Sequence, residues 1–276
     1  MFRFLSFIAV FIVTLNVPAV AAAGPKLYIF DCGYLRFSDI TAFSLSNDDT
    51  DVREMFVPCY LIEHERGTLL WDGGLPLALA GQPSYTDEQG MTVEYKRSLL
   101  AQLDDLGYSP EKIDKIAFSH FHFDHVGAAH AFFQSQLLIQ KTEYDAAFKY
   151  ADENPFFDPS LYNKLKNNPI TILNGDHDVF DDGSVMIISA PGHTPGHQTL
   201  LVNLEKTGKI MLSGDLYHFE FSRTYQRTPE FNTDKAQTLR SMEKVEKLLE
   251  SLDATLWIEH SMALAKSLKK SPEYYD

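Results

Sequence analysis

The chain is short of positive charge. Lys and Arg total 24, against 38 Asp and Glu, and the net charge is −14 over 276 residues. A surface of this sign repels phosphate backbones, which excludes nucleic acid as a partner and also disfavours polyanionic small molecules. The composition therefore favours a neutral or weakly charged substrate.

Long apolar runs are also missing, except at the N-terminus. The run 5–17 is almost continuously apolar, follows Arg3, and leads into small residues at 18–23. This pattern is typical of a secretory signal peptide that is cleaved off, whereas a membrane anchor, the alternative, needs a longer run. We expect a signal peptide over 1–23, a single domain over 24–276, a periplasmic or secreted location and no stable membrane anchor.

Cysteine is scarce, because Cys32 and Cys59 are the only two in the chain. Both lie in apolar segments that we expect to be neighbouring strands. We predict two buried free thiols, and a disulfide, which export would permit, is the alternative. Neither thiol is needed for the chemistry that the histidines suggest.

Histidine, in contrast, is concentrated in one place. His120, His122, Asp124 and His125 fall within six residues, directly after the apolar run 113–118. Crowded imidazoles repel one another when protonated, and a metal resolves this because each neutral ring offers it a lone pair. The spacing projects His120 and His122 to the same side of an extended backbone. Asp124 and His125 fall beyond the end of the strand, where they can face a second ion. The cluster predicts two metal ions.

Three further candidate ligands, His193, Asp215 and His260, follow points where predicted strands give way to loops. Sites in layered α/β folds collect at such strand ends. The alternative is a set of structural histidines and a buried Asp, which is disfavoured because buried charges without partners are costly. His197 is expected to brace the loop of His193 and not to bind metal.

These seven residues resemble the ligand signature of the metallo-β-lactamase superfamily, His-x-His-x-Asp-His followed by a later His, Asp and His. The resemblance covers about residues 26–265. It implies an α/β fold with two sheets packed face to face and helices outside, a four-layer αββα sandwich. The implied ligand division gives His120, His122 and His193 to one metal, Asp124, His125 and His260 to the other, and Asp215 to the bridge between them.

The implied chemistry is acyl transfer to water without a protein nucleophile. Two divalent ions that share a water lower its pKa from ~16 toward 7, so hydroxide can attack a carbonyl that one ion polarises. Asp124 is expected both to ligate one ion and to orient this hydroxide. A His and Asp ligand set without thiolate suits zinc, the expected metal, and also manganese, iron or cobalt.

Within the superfamily, the chain resembles the N-acyl homoserine lactonases, which open the lactone ring of quorum-sensing signals. The classical zinc β-lactamases place Cys where this chain has Asp215. The resemblance rests on the segments 27–33, 57–62, 69–74 and 119–127. The alternatives are an exported metallo-esterase or phosphotriesterase, a thioesterase of the glyoxalase II type, which favours basic residues near its site, and a non-catalytic binding protein, which the intact ligand set disfavours.

One position departs from the lactonase pattern. Many of these enzymes carry a Tyr three residues after the bridging Asp, where its hydroxyl contacts the lactone carbonyl. Here His218 takes that position and Tyr217 is beside it. Either side chain can donate to a developing oxyanion, and we predict His218, with Tyr217 as the alternative.

Substrate contacts are expected from loops around the strand ends. Met55 and Phe56 close the first long loop, and the insert at about 142–168 is rich in aromatic residues. Phe156 and Phe157 are the predicted pocket residues of this insert, while most of its other aromatics should form a local core. The expected ligand is a small neutral lactone or ester, and the expected state is a monomer or homodimer.

The hydrophobic pattern predicts mainly short strands with two longer helices. The first helix is expected over 93–106 and the second over 233–252, with Leu239 on its apolar face. Strands are expected at 26–31, 56–63, 68–71, 113–118, 170–173, 185–189, 199–203, 210–212 and 255–260.

Overall fold

The computed structural model describes residues 24–276, so the predicted signal peptide lies outside the described residues. None of the helices within this part of the chain is long and apolar enough to cross a membrane. The strands are β1 (Lys26–Phe37), β2 (Glu54–His64), β3 (Gly67–Trp71), β4 (Tyr85–Thr86), β5 (Met91–Glu94), β6 (Lys115–Ala117), β7 (Gln136–Gln140), β8 (Ile170–Leu173), β9 (His177–Asp178), β10 (Val185–Ser189), β11 (Gln198–Leu204), β12 (Gly208–Leu212), β13 (Thr255–Trp257) and β14 (Tyr274–Tyr275). The helices are α1 (Leu99–Asp105), α2 (Lys141–Lys149), α3 (Glu220–Thr224), α4 (Lys235–Leu252) and α5 (Met262–Ser267).

The strands form two sheets. The first has nine strands in the order β4-β5-β1-β2-β3-β6-β7-β8, with β14 also paired to β1. Its β1, β2 and β3 are antiparallel, whereas β3, β6, β7 and β8 are parallel. The second sheet has five strands in the order β13-β12-β11-β10-β9, and only its β12–β13 pair is parallel.

Alternating side chains show how the sheets stack, because successive residues of a strand point to opposite faces. In β1, Leu27 and Ile29 pack in the apolar layer between the sheets, while Phe30 faces the outer layer with α1. In the second sheet, Ile187 faces the inner layer and Ile188 packs against α4. The result is the four-layer αββα sandwich that the sequence predicted.

The predicted helix over 93–106 is wrong in its first half. The segment Met91–Glu94 is strand β5, and α1 begins only at Leu99. The reason is that β1 continues past the predicted end at Asp31 to Phe37, and β5 pairs with this extension. Sheet pairing here overrides the helical pattern of the sequence.

Helix α4 matches its prediction closely, except at one residue. Asp234 caps its N-terminus by accepting a hydrogen bond from the backbone N–H of Gln237, and Met242 lies on its buried face. Leu239 was expected on that face but is 40% exposed. The first turn of α4 instead buries Thr238 against Gly192, which leaves Leu239 toward solvent.

Candidate metal centre

Buried side chains that can ligate metal form two groups that share no residue, and a third group, Asp72, His125 and Glu259, overlaps the second at His125. The ligand atoms within each group lie within 4.8 Å of one another, and all the residues are buried. One group is His120, His122, His193 and Asp215, and the other is Asp124, His125 and His260. The structure thus brings together all seven predicted ligands, in the division that the resemblance implied.

Asp215 lies between the two groups and presents one carboxylate oxygen to each. Its Oδ2 is 3.2 Å from Nε2 of His193 and 3.6 Å from Nε2 of His120. Its Oδ1 is 2.8 Å from Nε2 of His260 and 3.2 Å from Nε2 of His125. This is the arrangement expected of a bridging ligand.

The open lone pairs of these residues fit metal ions. Within residues 24–276, Nε2 of His125 and Oδ1 of Asp215 are buried and make no aligned hydrogen bond, although neighbouring nitrogens are close. Nε2 of His193 lies 3.2 Å from Nε2 of His120 and 3.1 Å from Nδ1 of His122. Three ring nitrogens therefore converge on one small volume, which imidazoles do when they share a cation.

The other ring nitrogen of most of these histidines is held in place. Nδ1 of His125 lies 2.9 Å from Oδ2 of Asp72, and Nδ1 of His193 lies 2.8 Å from Oδ1 of Asn232. Nδ1 of His260 lies 2.8 Å from the carbonyl oxygen of Phe56. Such partners fix the ring orientation and the tautomer of a metal-binding histidine. Asp72 and Asn232 were not predicted, although Asp72 follows strand β3 directly, where a site residue is expected.

The electrostatics of the cluster favour neutral rings at His120 and His122, an ionised carboxylate at Asp215 and protonated rings beside it. Burial, reinforced by the neighbouring histidines, holds the pKa of His120 and of His122 well below the ordinary value. Burial would raise the pKa of the Asp215 carboxyl, but the surrounding histidines outweigh it and lower that pKa. Burial would lower the pKa of His260, yet Asp215 beside it raises the pKa to about 9. Burial opposes it, but Asp215 raises the pKa of His125 as well, so a cation that binds His125 and His260 would displace their protons, because metal ligands must be deprotonated.

Two loops meet closely behind the His120–His125 turn. The backbone N–H of Gly73 donates to the carbonyl oxygen of His125 at 2.6 Å, and that of Gly127 donates to Gly74 at 2.8 Å. A Cβ atom on Gly127 would lie 2.1 Å from the backbone of Leu75, so only glycine fits there. The loop that follows β3 therefore holds the turn that carries the ligands.

The prediction of two free thiols is wrong, because Cys32 and Cys59 form a disulfide. The two residues are buried and lie on the paired strands β1 and β2, with their Cα atoms 5.9 Å apart. A Cβ atom added to Gly74 would lie 2.3 Å from Cβ of Cys32 and 2.8 Å from Sγ of Cys59. The disulfide thus packs directly against the loop that supports His125.

His197 braces the loop of His193, as predicted, by closing its two ends at Ala190, and it also holds the backbone of Asp215. Its Nε2 accepts a hydrogen bond from the backbone N–H of Asp215 at 2.9 Å, and its Nδ1 lies 3.0 Å from the carbonyl oxygen of Ala190. Burial holds its pKa at about 3, which keeps the ring neutral and Nε2 free to accept. His197 therefore orients the bridging carboxylate.

Glu143 performs a similar task and was not predicted. Its two carboxylate oxygens accept hydrogen bonds from the backbone N–H groups of Phe121, at 3.0 Å, and Gly196, at 2.8 Å. These contacts tie the loop of His122 to the loop of His193. Its position on a helix of the insert gave no sequence signal for this role.

The structure separates the two candidates for the carbonyl contact. Nε2 of His218 lies 3.0 Å from Oδ2 of Asp215, and the ring faces the cavity above the metal centre. The hydroxyl of Tyr217 instead donates to Oε1 of Glu246 at 2.8 Å, beneath helix α4. Adjacent residues here point to opposite sides, so Tyr217, the alternative, is excluded from the cavity.

A cavity of about 600 Å³ opens over the metal centre. Met55 and Phe156, both predicted, line it, together with unpredicted apolar residues from β1, β5 and the following loops. The apolar lining comprises Leu35, Phe37, Phe43, Met55, Met91, Phe123, Phe156 and Phe231. Most of these residues come from strand ends and loops that are distant in sequence, which explains why the sequence showed only part of the wall.

Two predicted pocket residues lie elsewhere. The side chain of Phe56 is buried between the two sheets, and only its backbone carbonyl reaches the site, as the partner of His260. The ring of Phe157 packs in the outer core, and its backbone forms a β-bridge with His122. Both residues position ligands and do not line the cavity.

The cavity has no Lys or Arg among its described lining residues. Asp39, Asp87 and Asp158 lie at its mouth, and Asp124 and Asp215 lie at its floor. A ligand with a carboxylate or phosphate group would meet only negative charge outside the metal centre. This arrangement agrees with the neutral substrate inferred from the composition.

Comparisons with known proteins agree with this geometry. The metallo-beta-lactamase superfamily profile matches residues 52–252. The chain is 29% identical to the N-acyl homoserine lactonase AttM of Azorhizobium caulinodans, over 91% of this chain and 98% of the relative. It is 31% identical to an N-acyl homoserine lactonase of Bacillus cereus, over 78% of this chain and 85% of the relative.

A solved structure is similar over nearly the whole described fold. It is that of an N-acyl homoserine lactone hydrolase with the product N-hexanoyl-L-homoserine bound at the catalytic metal centre. The TM-score is 0.78 at 25% identity, covering 91% of this chain and 99% of the other. With its αββα layers, its seven clustered ligands and these matches, the chain belongs to the metallo-β-lactamase superfamily.

Proposed function

We propose that the protein is a metal-dependent hydrolase that opens the lactone ring of N-acyl homoserine lactones. The observation that carries the proposal is the cavity over the seven-ligand site, which is apolar along its wall and has no Lys or Arg in its described lining. An apolar wall suits an acyl chain, and the lack of Lys and Arg disfavours anionic substrates. Relatives of similar length are N-acyl homoserine lactonases, which supports the same substrate class.

The seven candidate ligands would hold two divalent ions, for which zinc is the proposed identity. When bound, the ions polarise a substrate carbonyl and lower the pKa of a shared water. Asp215, oriented by His197 through its backbone, keeps the two ligand groups together. Asp124, at the cavity floor, is placed to ligate one ion and to accept a hydrogen bond from that water.

His218 is the proposed donor to the substrate oxygen. Its Nε2 sits 3.0 Å from Asp215 and at the floor of the cavity, beside the position where a carbonyl must lie. When the lone pairs of Asp215 are directed to metal, an Nε2–H group is free to donate to that oxygen. A donor placed there stabilises the negative charge that develops on the oxygen during attack.

We also propose that the protein is exported. The apolar N-terminal run supports a signal peptide, and the buried Cys32–Cys59 disulfide is typical of proteins that mature in an oxidising compartment. Comparing the mass of the protein in culture medium and periplasm with that of the full chain tests this. An unprocessed protein found only in the cytoplasm would contradict it.

Proton release from N-hexanoyl homoserine lactone, followed in a pH-stat, tests the proposed activity. We expect release by the zinc-loaded protein, its loss on treatment with a chelator, and its return when zinc is added. A neutral aryl ester and a phosphotriester, run in parallel, report the alternative activities. No lactone hydrolysis with two zinc ions bound per chain, or hydrolysis that survives complete metal removal, would contradict the proposal.

A further inference from the structure

We propose that a second groove, beyond the Phe156–Phe231 pair, binds the distal part of a long acyl chain. The groove has a volume of about 560 Å³ and runs between the insert and the loop of His193. Its apolar wall is formed mainly by Tyr150, Pro155, Phe156, Pro195 and Phe231, while Phe157 reaches the groove only from its place in the core. The inference rests on the proposed lactonase function and specifies which substrates that function favours.

The groove borders the cavity over the metal centre, because the two share a wall. Pro155, Phe156 and Phe231 line both. The rings of Phe156 and Phe231 lie 5.3 Å apart, centroid to centroid. Phe156 lies 5.6 Å from the ring of His122, and Phe231 lies 5.8 Å from that of His193. Rings this close are in contact, so an acyl chain that leaves the metal centre reaches the groove by passing over the exposed face of the pair and not between its rings.

The aromatic side chains of this wall are unusually open to solvent. Phe156 is 47% exposed, although it belongs to the apolar cavity wall, and Tyr150 at the far side of the groove is 55% exposed. Covering such rings with an alkyl chain removes apolar surface from water on both partners. An acyl chain long enough to reach Tyr150 therefore gains binding free energy from this wall.

The charges around the groove determine which terminal group an acyl chain can carry into it. Asp145 and Glu153 line the groove, and Asp145 is already paired with Lys141 and Lys149. A terminal carboxylate would meet these acids without a free cation among the described lining residues. The occupant is therefore an acyl chain that ends in a methyl group.

Chain length should then set the catalytic efficiency. Each methylene that moves from water into the groove is expected to raise kcat/KM about four-fold. The increase should begin only with chains that pass the Phe156–Phe231 pair. Short chains, which end in the first cavity, should not sense the groove at all.

The test compares N-butanoyl and N-dodecanoyl homoserine lactones on the zinc-loaded protein. Tyr150→Ala removes the far wall, and Thr142→Trp places a bulky ring at an exposed position of the groove lining. Each is expected to lower kcat/KM for the dodecanoyl substrate about ten-fold and to leave the butanoyl value unchanged. Tyr225→Ala is the matched control, because Tyr225 is 58% exposed and lines neither cavity.

Equal changes in kcat/KM for both substrates, or wild-type values of kcat/KM for both variants, would contradict the proposed role of the groove. Calorimetry with the ring-opened N-dodecanoyl- and N-butanoyl-homoserine separates this outcome from failure of the proposed function. Suppose that no lactone is hydrolysed but Tyr150→Ala still weakens binding of the dodecanoyl compound alone. The proposed groove is then supported and the proposed lactonase activity is refuted. If lactones are hydrolysed and neither variant changes the dependence of kcat/KM on chain length, the lactonase activity is supported and the proposed groove is refuted.

Discussion

His218 is the side chain at which this protein departs from the lactonase pattern, and its place in the cavity makes the departure testable. His218→Phe keeps a planar ring and removes the donor. We expect kcat for a homoserine lactone to fall about 100-fold, because a single oxyanion donor is lost, while both metal ions are retained. Steady-state kinetics with metal analysis of the same samples measures both quantities.

Tyr217→Phe serves as the matched control for that substitution. It removes the hydroxyl that donates to Glu246, so we expect a loss of about 1 kcal/mol in the free energy of unfolding and an unchanged kcat. If His218→Phe retained wild-type kcat with full metal content, His218 would have no role as a donor.

Asp72 offers a second test at the level of single residues. Asp72→Asn keeps an oxygen that can accept from the backbone N–H of Ser119 but removes the charge that faces Nδ1 of His125. We expect zinc affinity at the group of Asp124, His125 and His260 to weaken about 10- to 100-fold. Competition with a coloured chelator measures the affinity, with the exposed Asp104→Asn as control. Wild-type affinity in Asp72→Asn would show that Asp72 does not support the ligand.

Among residues, the sequence identified the side chains that cluster as candidate ligands far better than the residues that support them. The seven ligands share one requirement, a lone pair at a strand end, and that requirement shows directly in residue type and position. Asp72, Asn232 and Glu143 act through contacts between segments distant in the chain. Phe56 and Phe157 illustrate the same limit, because both lie beside the site and yet turn their rings into the core.

At the scale of elements, the disulfide links the first hairpin of the sheet to the metal centre. Cys32 and Cys59 are 27 residues apart, and their sulfur atoms pack on Gly74. The double variant Cys32→Ala/Cys59→Ala should lower the free energy of unfolding by about 3 kcal/mol. We also expect faster zinc release, because the loop behind His125 loses its support. Denaturant unfolding and the rate of zinc transfer to a chelator are the measurements.

The two readouts separate a general role of the disulfide from its role at the site. A less stable variant that releases zinc at the wild-type rate would limit the disulfide to global stability. A variant that matches wild type in both measurements would remove any role for it.

The elements that the sequence predicted best are those whose pattern is set locally. Helix α4 has a capping Asp234 and a continuous apolar face, and strand β10 is a short apolar run, so both were found near their true bounds. Strand β5 was mistaken for helix, because its partner is the unexpected extension of β1. Pairing between distant segments cannot be predicted from the residue pattern of either segment alone.

At the scale of the whole molecule, charge and shape select the same kind of substrate. The chain carries a net charge of −14, and the mouth of the cavity adds Asp39, Asp87 and Asp158 to this field. The proposed site for divalent cations lies at the floor, with Asp215 between two groups of histidines. A neutral acyl lactone would meet no charge repulsion on entry, unlike an anionic substrate.

The central claim is that two metal ions act together in lactone opening. The most direct test titrates zinc into metal-free protein while proton release from N-hexanoyl homoserine lactone is followed. The structure predicts activity that rises to a plateau at two equivalents of zinc per chain, since Asp215 joins two complete ligand groups. Full activity at one equivalent, or activity before any zinc is added, would contradict the account.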